Sequence, residues 1–134
     1  MKVARSVGVW ARASQRAQVS ILAFAAASPA AAADKEQAAF NNYCRTCHST
    51  VVQDNRLGPS LHRIFGARAG TVSGYTGYSL GLSRSGITWD EATLDAFIAN
   101  PDAVVPNNNM KPFDGIRDSA VRARIITFLK AQRG

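Results

Sequence analysis

The stretch that decides the reading of this chain is Asn41–Thr50, NNYCRTCHST. Its centre, Cys44-Arg45-Thr46-Cys47-His48, holds both cysteines of the protein and one of its two histidines. Paired cysteines have several uses, and three of them fit this spacing badly. A disulfide is natural in an exported chain, but cysteines three positions apart at the end of a helix seldom serve as a staple. A thioredoxin-like redox pair needs a preceding strand and a βαβ setting, whereas a helical stripe leads into Cys44 here. A zinc site needs four ligands, and outside the motif only His62 remains, with no cysteine left.

The spacing answers to a fourth chemistry, covalent attachment of a c-type haem. Two thiols add across the two vinyl groups on one side of a porphyrin, and two intervening residues bring both sulfurs to that edge. The adjacent histidine then lies under the iron and offers an imidazole nitrogen as axial ligand. Met110 is the only methionine besides the initiator. Most methionines fill gaps in cores, but three asparagines precede this one and Lys111-Pro112 follows it. That setting is neither a core strand nor a buried helix face, and a thioether on such a loop can reach the iron opposite His48. His62 as sixth ligand, or a five-coordinate site, are the alternatives.

Working outward, the N-terminus reads as a segment apart. Lys2, Arg5, Arg12 and Arg16 come with no acid, then the apolar VSILAFAAASPAAAA leads into Asp34 and Lys35. A basic region, a short apolar region and an Ala-x-Ala site make a secretory signal peptide over residues 1–33, cleaved after Ala33. The run is broken by Pro29 and is shorter than the roughly 20 residues that span a bilayer; an uncleaved anchor is the competing reading. The whole chain of 134 residues carries +7, with 16 basic and nine acidic side chains. Without the four leader cations, residues 34–134 keep 12 against nine, or +3. With no block of Lys and Arg, binding to nucleic acid is not expected.

Residues 34–134 are room for one domain with a modest core. Three segments look helical. Residues 35–44 place Ala39, Phe40, Tyr43 and Cys44 on one stripe. A second helix opens at Thr88-Trp89-Asp90-Glu91, with Thr88 as N-cap and Glu91 completing a capping box. It carries Leu94, Phe97 and Ile98 on one face and stops at Pro101. A third, residues 118–132, aligns Val121, Ile125, Phe128 and Leu129, with Lys130 near its C-terminus. Between the first two lies a Gly-rich middle with no alternation fit for a strand ladder. Long ordered loops need something to wrap around. The Asn107-Asn108-Asn109 run is expected to be a solvated loop.

The segments FNNYCRTCHS, LGPSLHRIFGARAG, SGITWDEATLDAFIANPDAVVPNNNM and RIITFLK, in this order, resemble the class I c-type cytochromes of the mitochondrial cytochrome c and bacterial cytochrome c2 group. The likeness runs from Glu36 to Lys130. It implies an all-α cytochrome c fold, three main helices and long loops wrapped around one covalently bound haem c. It implies thioethers at Cys44 and Cys47, with His48 and Met110 on the iron. It gives Pro59 a backbone carbonyl that fixes the His48 ring, and makes Tyr78 and Trp89 donors to a haem propionate. Taken as plain structure, Trp89 is core bulk and Tyr78 a ring on a loop. Phe40, Leu94 and Phe128 look like the crossing of the terminal helices.

The chain departs from that family at Phe97, where a tyrosine often donates to the methionine sulfur, and at Leu82, commonly polar. It departs also at Glu36, often glycine, and at Asn109, commonly lysine; the arginine expected after Ile64-Phe65-Gly66 stands one place later as Arg68. Lys111 and Arg45 remain for a basic rim. The function implied is a periplasmic single-haem electron carrier, a monomer and not an enzyme, touching the membrane only peripherally. Its donor would be a membrane quinol–cytochrome c oxidoreductase. Its acceptor would be a terminal oxidase, a photosynthetic reaction centre or a periplasmic redox enzyme. The alternative is a haem protein whose sixth ligand is labile, acting as a weak peroxidase or gas binder.

Overall fold

A computed structural model describes residues 28–132 and Gly8. Apart from Gly8 and residues 28–33, the expected signal peptide lies outside the described residues. Five helices follow in order: α1 Pro29–Tyr43, α2 Leu80–Arg84, α3 Glu91–Ala99, α4 Pro101–Val104 and α5 Ser119–Ala131. The three long ones are those expected from the apolar spacing.

Their ends are set by local chemistry. Pro29 stands in the first turn of α1, where its missing N–H costs nothing. The helix therefore begins ahead of Ala33, but residues 29–35 are all exposed and bury nothing. For α3, the N-cap is Asp90 rather than Thr88. Its carboxylate accepts from the Thr93 backbone N–H at 2.8 Å, while the Thr93 hydroxyl accepts from the Asp90 N–H at 2.8 Å. This is a capping box two residues later than expected, with Thr93 in place of Glu91. Pro101 both follows the end of α3 and opens α4, whose N-cap Asn100 accepts from the Ala103 N–H at 3.2 Å. Asp118 caps α5 through the N–H groups of Ala120 and Val121.

The core lies where α1 and α3 pack on α5. Phe40 of α1 meets Phe128 of α5 with ring centroids 4.8 Å apart. Leu94, Phe97 and Ile98 from α3 and Ile125, Ile126 and Leu129 from α5 are buried with them. Burial of each such side chain is worth about 1.5–3 kcal/mol. Arg122 braces the same corner. Its guanidinium donates to Asp95 on α3 at 2.6 Å and to the carbonyls of Ile116 and Arg117 at 2.9 Å each. Gly115 lets the loop come this close, because a Cβ there would sit 2.1 Å from the Ala99 carbonyl oxygen and φ is +98°.

Among the described residues the only bridge between extended segments is the isolated antiparallel pair Arg68 and Thr88. It sets Trp89 against the loop, through Trp89 N–H to the Ala67 carbonyl at 2.9 Å and Gly66 N–H to the Trp89 carbonyl at 2.6 Å. The Gly-rich middle is thus pinned without forming a sheet. No helix among the described residues is long and apolar enough to cross a membrane.

Candidate functional site

The motif leaves α1 at its C-terminus, where the Cys44 N–H still donates to the Phe40 carbonyl at 2.8 Å. The chain then turns, and the N–H groups of Cys47 and His48 both donate to the Cys44 carbonyl, at 3.1 and 2.9 Å. Cys44, Cys47 and His48 are therefore held as one compact unit directly after a helix that is fixed to the core by Phe40. Both cysteines are free thiols, half-buried. Burial first, and the neighbouring Cys47 second, push the Cys44 thiol up to about 12.

His48 is 8% exposed. Its Nδ1 lies 2.8 Å from the Pro59 carbonyl oxygen. A carbonyl only accepts, so Nδ1 carries the proton and Nε2 keeps a bare lone pair. Desolvation lowers the imidazole below its ordinary value, against the opposing pull of the Pro59 bond, and the ring is neutral. Gly58 makes the approach possible. A Cβ on it would fall 2.3 Å from Cε1 and 2.7 Å from Nδ1 of His48. The Gly58 N–H donates to the Cys47 carbonyl at 2.8 Å, tying the Pro59 segment to the motif.

Tyr78 and Trp89 come from the pinned loop. Tyr78 stacks edge-on against Tyr75 at 4.8 Å, and its hydroxyl oxygen accepts from the Val72 N–H at 3.3 Å. Burial, its largest influence, raises the phenol above its ordinary value. Trp89 is 6% exposed and packs on Phe97 at 5.1 Å. Neither the Trp89 indole N–H nor the Tyr78 hydroxyl hydrogen is committed to an acceptor among the described residues. Phe97, packed on the indole, has no polar atom to offer.

Met110 is half-buried against the core, in the loop after α4. This loop is not merely solvated. Asn108 is 3% exposed, and its amide donates to Asp102 at 2.8 Å and to the Val105 carbonyl at 3.0 Å. Its side-chain oxygen accepts from the Met110 N–H at 3.0 Å. Asn109 donates to the Gly77 carbonyl at 3.0 Å, beside Tyr78, and Asn107 turns the chain at φ +59°. The Lys111 ammonium reaches Asp102 as well. Sequence reasoning missed Asn108; the signal available to it was an acid six residues earlier, on a short helix that it did not foresee.

The donor set suits a haem c. Two unpaired thiols at the right interval, an imidazole with its Nε2 lone pair free, and an indole N–H and a phenol hydrogen not committed to protein acceptors are what such a group needs. Among the described residues no three His, Cys, Asp or Glu side chains gather as a metal site of the zinc kind would require.

No protein-family model matches the chain. Individual proteins do. Cytochrome c2 iso-2 of Magnetospirillum fulvum is 41% identical over 88 residues, covering 66% of this chain and 90% of that protein. Cytochrome c2 of Rhodomicrobium vannielii is 40% identical over 92 residues, 68% of this chain and 72% of that one. In three dimensions the chain is similar to cytochrome cH from Methylobacterium extorquens, with a TM-score of 0.66, 37% identity and coverage of 74% of this chain and 97% of the other. With relatives this similar over 72–97% of their length, and with a helical fold that carries a paired-cysteine and histidine unit, the chain belongs to the class I c-type cytochromes, electron-transport proteins with one covalently bound haem c.

Proposed function

We propose that the protein is a periplasmic single-haem carrier that moves one electron at a time from a membrane quinol–cytochrome c oxidoreductase to a terminal acceptor. The acceptor class is a terminal oxidase, a photosynthetic reaction centre or a periplasmic redox enzyme. Residues 1–33 are the export signal and 34–134 the working domain, a monomer that meets membranes only through its partners. The exposed start of α1, which buries nothing before Ala39 apart from a half-buried Glu36, suits a cut after Ala33.

In this reading Cys44 and Cys47 would hold the haem covalently, each S–H adding across one vinyl group with its sulfur on one carbon and its hydrogen on the other. Burial that pushes the Cys44 thiol up to about 12 makes it a poor nucleophile in the closed fold. The haem supplies a reversible Fe(III)/Fe(II) couple when bound. His48 would hold the iron through Nε2, made a better donor by the Nδ1–H bond to Pro59. Met110 would supply its sulfur as the second iron ligand, a soft donor that favours the ferrous state. Trp89 and Tyr78 would donate to the propionate oxygens. Phe97, Leu94, Ile98 and Ile64 keep water from the site and make extra positive charge costly there. No substrate bond is made or broken.

The observation that carries this reading is the His48–Pro59 bond at 2.8 Å, since it fixes the tautomer in which Nε2 is the free nitrogen, beside two free thiols. The test is the ferric absorption spectrum of the haem-loaded protein and of Met110→Ala. A weak far-red sulfur-to-iron band, present in the wild type and lost in the variant, is the expected result. Haem without that band would overturn the Met110 assignment and move the peroxidase or gas-binding alternative ahead, which Phe97 favours by offering the sulfur no hydrogen bond.

A further inference from the structure

The loop that carries Met110 has been given a lock of its own. Asn108 is 3% exposed in a segment where its neighbours Asn107 and Asn109 are exposed. A buried carboxamide is stable only when its hydrogen-bonding groups are met. Here both ends are used. The amide spans Asp102 on α4 and the Val105 carbonyl, and the oxygen receives the Met110 N–H. Lys111, on the other side of Met110, closes on the second oxygen of the same Asp102 carboxylate. One acid therefore holds, directly or through Asn108, the residues on both sides of the methionine.

We infer that Asn108 and Asp102 form a clasp that positions Met110, acting through its backbone, and so keep the sixth position of the iron closed. The inference rests on the reading of Met110 as an axial ligand. Neither residue needs to touch the haem; both are positioning residues. Two parts of the clasp differ in weight. Asn108 is buried, so its unmade bonds leave a peptide N–H and an amide without partners. The Lys111–Asp102 ion pair is exposed on both sides, 48% and 57%, and exposed pairs contribute little. The clasp therefore depends on an acceptor at position 102 more than on a charge there.

That difference sets the experiment. The haem-loaded full chain is prepared as wild type, Asn108→Ala, Asp102→Ala and Asp102→Asn. Three quantities are read: the far-red ferric band, the rate of carbon monoxide binding to the ferrous form, and helix content. Asn108→Ala and Asp102→Ala should weaken the band and speed carbon monoxide binding by about tenfold, the order expected for one lost buried hydrogen bond. Asp102→Asn, which still offers an oxygen to Asn108, should stay within about twofold of wild type on the same scale. Helix content should be unchanged throughout. Asp102 is largely exposed, so its variants report even where Asn108→Ala does not fold. If the Asp102→Ala band and rate match wild type while Met110→Ala loses the band, the clasp is wrong and the ligand assignment stands. If wild type has no such band, both fail together. If Asp102→Asn behaves as Asp102→Ala does, charge and not the carboxamide bridge holds the loop, and the inference as stated is overturned.

Discussion

A single methyl group tests how tightly the histidine is held. The approach of the Pro59 segment to His48 leaves no space at Gly58, where a Cβ would meet Cε1, Nδ1 and Nε2 of the ring at 2.3, 2.7 and 2.9 Å. The ring cannot retreat without losing the Pro59 carbonyl, and the backbone cannot retreat without losing the Gly58–Cys47 bond. Gly58→Ala should therefore destabilise the haem-loaded protein by about 1–3 kcal/mol, the usual range for overpacking, as measured by denaturant titration. It should also shift the ferric spectrum, because the imidazole is tilted. A variant with wild-type midpoint and spectrum would show that the contact relaxes freely. At this scale the sequence was informative wherever chemistry is local. Cys44, Cys47, His48 and the Pro59 carbonyl lie within 16 residues of one another; the motif names the first three, and the family resemblance supplies Pro59. Asn108 was not legible, because burial of an asparagine depends on what packs over it, and its Asp102 partner is reached only through the unforeseen α4.

The helices show the same division between pattern and packing. The apolar spacing gave α1, α3 and α5, because a face that must bury Phe40, Leu94 or Ile125 leaves a periodic trace. It missed α2 and α4, five and four residues long, too short to show a period and held by Ser79 and Asn100 caps instead. It also misplaced the start of α3, since Thr88 and Asp90 are both good caps and tertiary pinning of Trp89 decides between them. The true cap carries a charge, and that gives it a pH signature. Hydrogen bonds from the Thr93 N–H and hydroxyl lower the Asp90 carboxyl from its ordinary 3.8. Between the folded value and 3.8 the unfolded chain binds more protons, so the cap's stabilisation is complete above that window and is lost as pH falls through it. Asp90→Ala should melt a few degrees below wild type at neutral pH by calorimetry, and the gap should narrow below about pH 3.8. An equal gap at pH 7 and pH 3 would mean that the cap acts by geometry alone, with no part for its charge.

At the scale of the molecule, charge decides how the carrier finds its partners. Residues 34–134 hold 12 basic and nine acidic side chains, a net of +3 before two haem propionates are counted. Much of that basic charge is already answered. Among the described residues Arg56 sits on Asp54 at 2.7 Å, Lys111 on Asp102, Arg122 on Asp95 at 2.6 Å and Lys130 on Glu91 at 3.5 Å. Lys111 matters most, because it stands next to Met110 and was expected to supply a basic rim; its pairing with Asp102 blunts that rim. Steering over distances beyond a Debye length of about 8–10 Å depends on unpaired charge, and salt removes it. The rate of reduction by a quinol-oxidising complex should then fall by less than about tenfold between roughly 0.05 and 0.5 M salt. The same titration on Asp102→Asn, which keeps an oxygen for Asn108 and removes only the charge, is the sharper half of the test. Removing that carboxylate adds one positive charge to the net and frees Lys111 beside the sixth ligand, so its salt dependence should be steeper than wild type. A steep wild-type curve that Asp102→Asn leaves unchanged would place the docking charge elsewhere, on Arg45 of the motif and the basic residues of the Gly-rich loop, and would make the Lys111 side of the molecule a bystander in recognition.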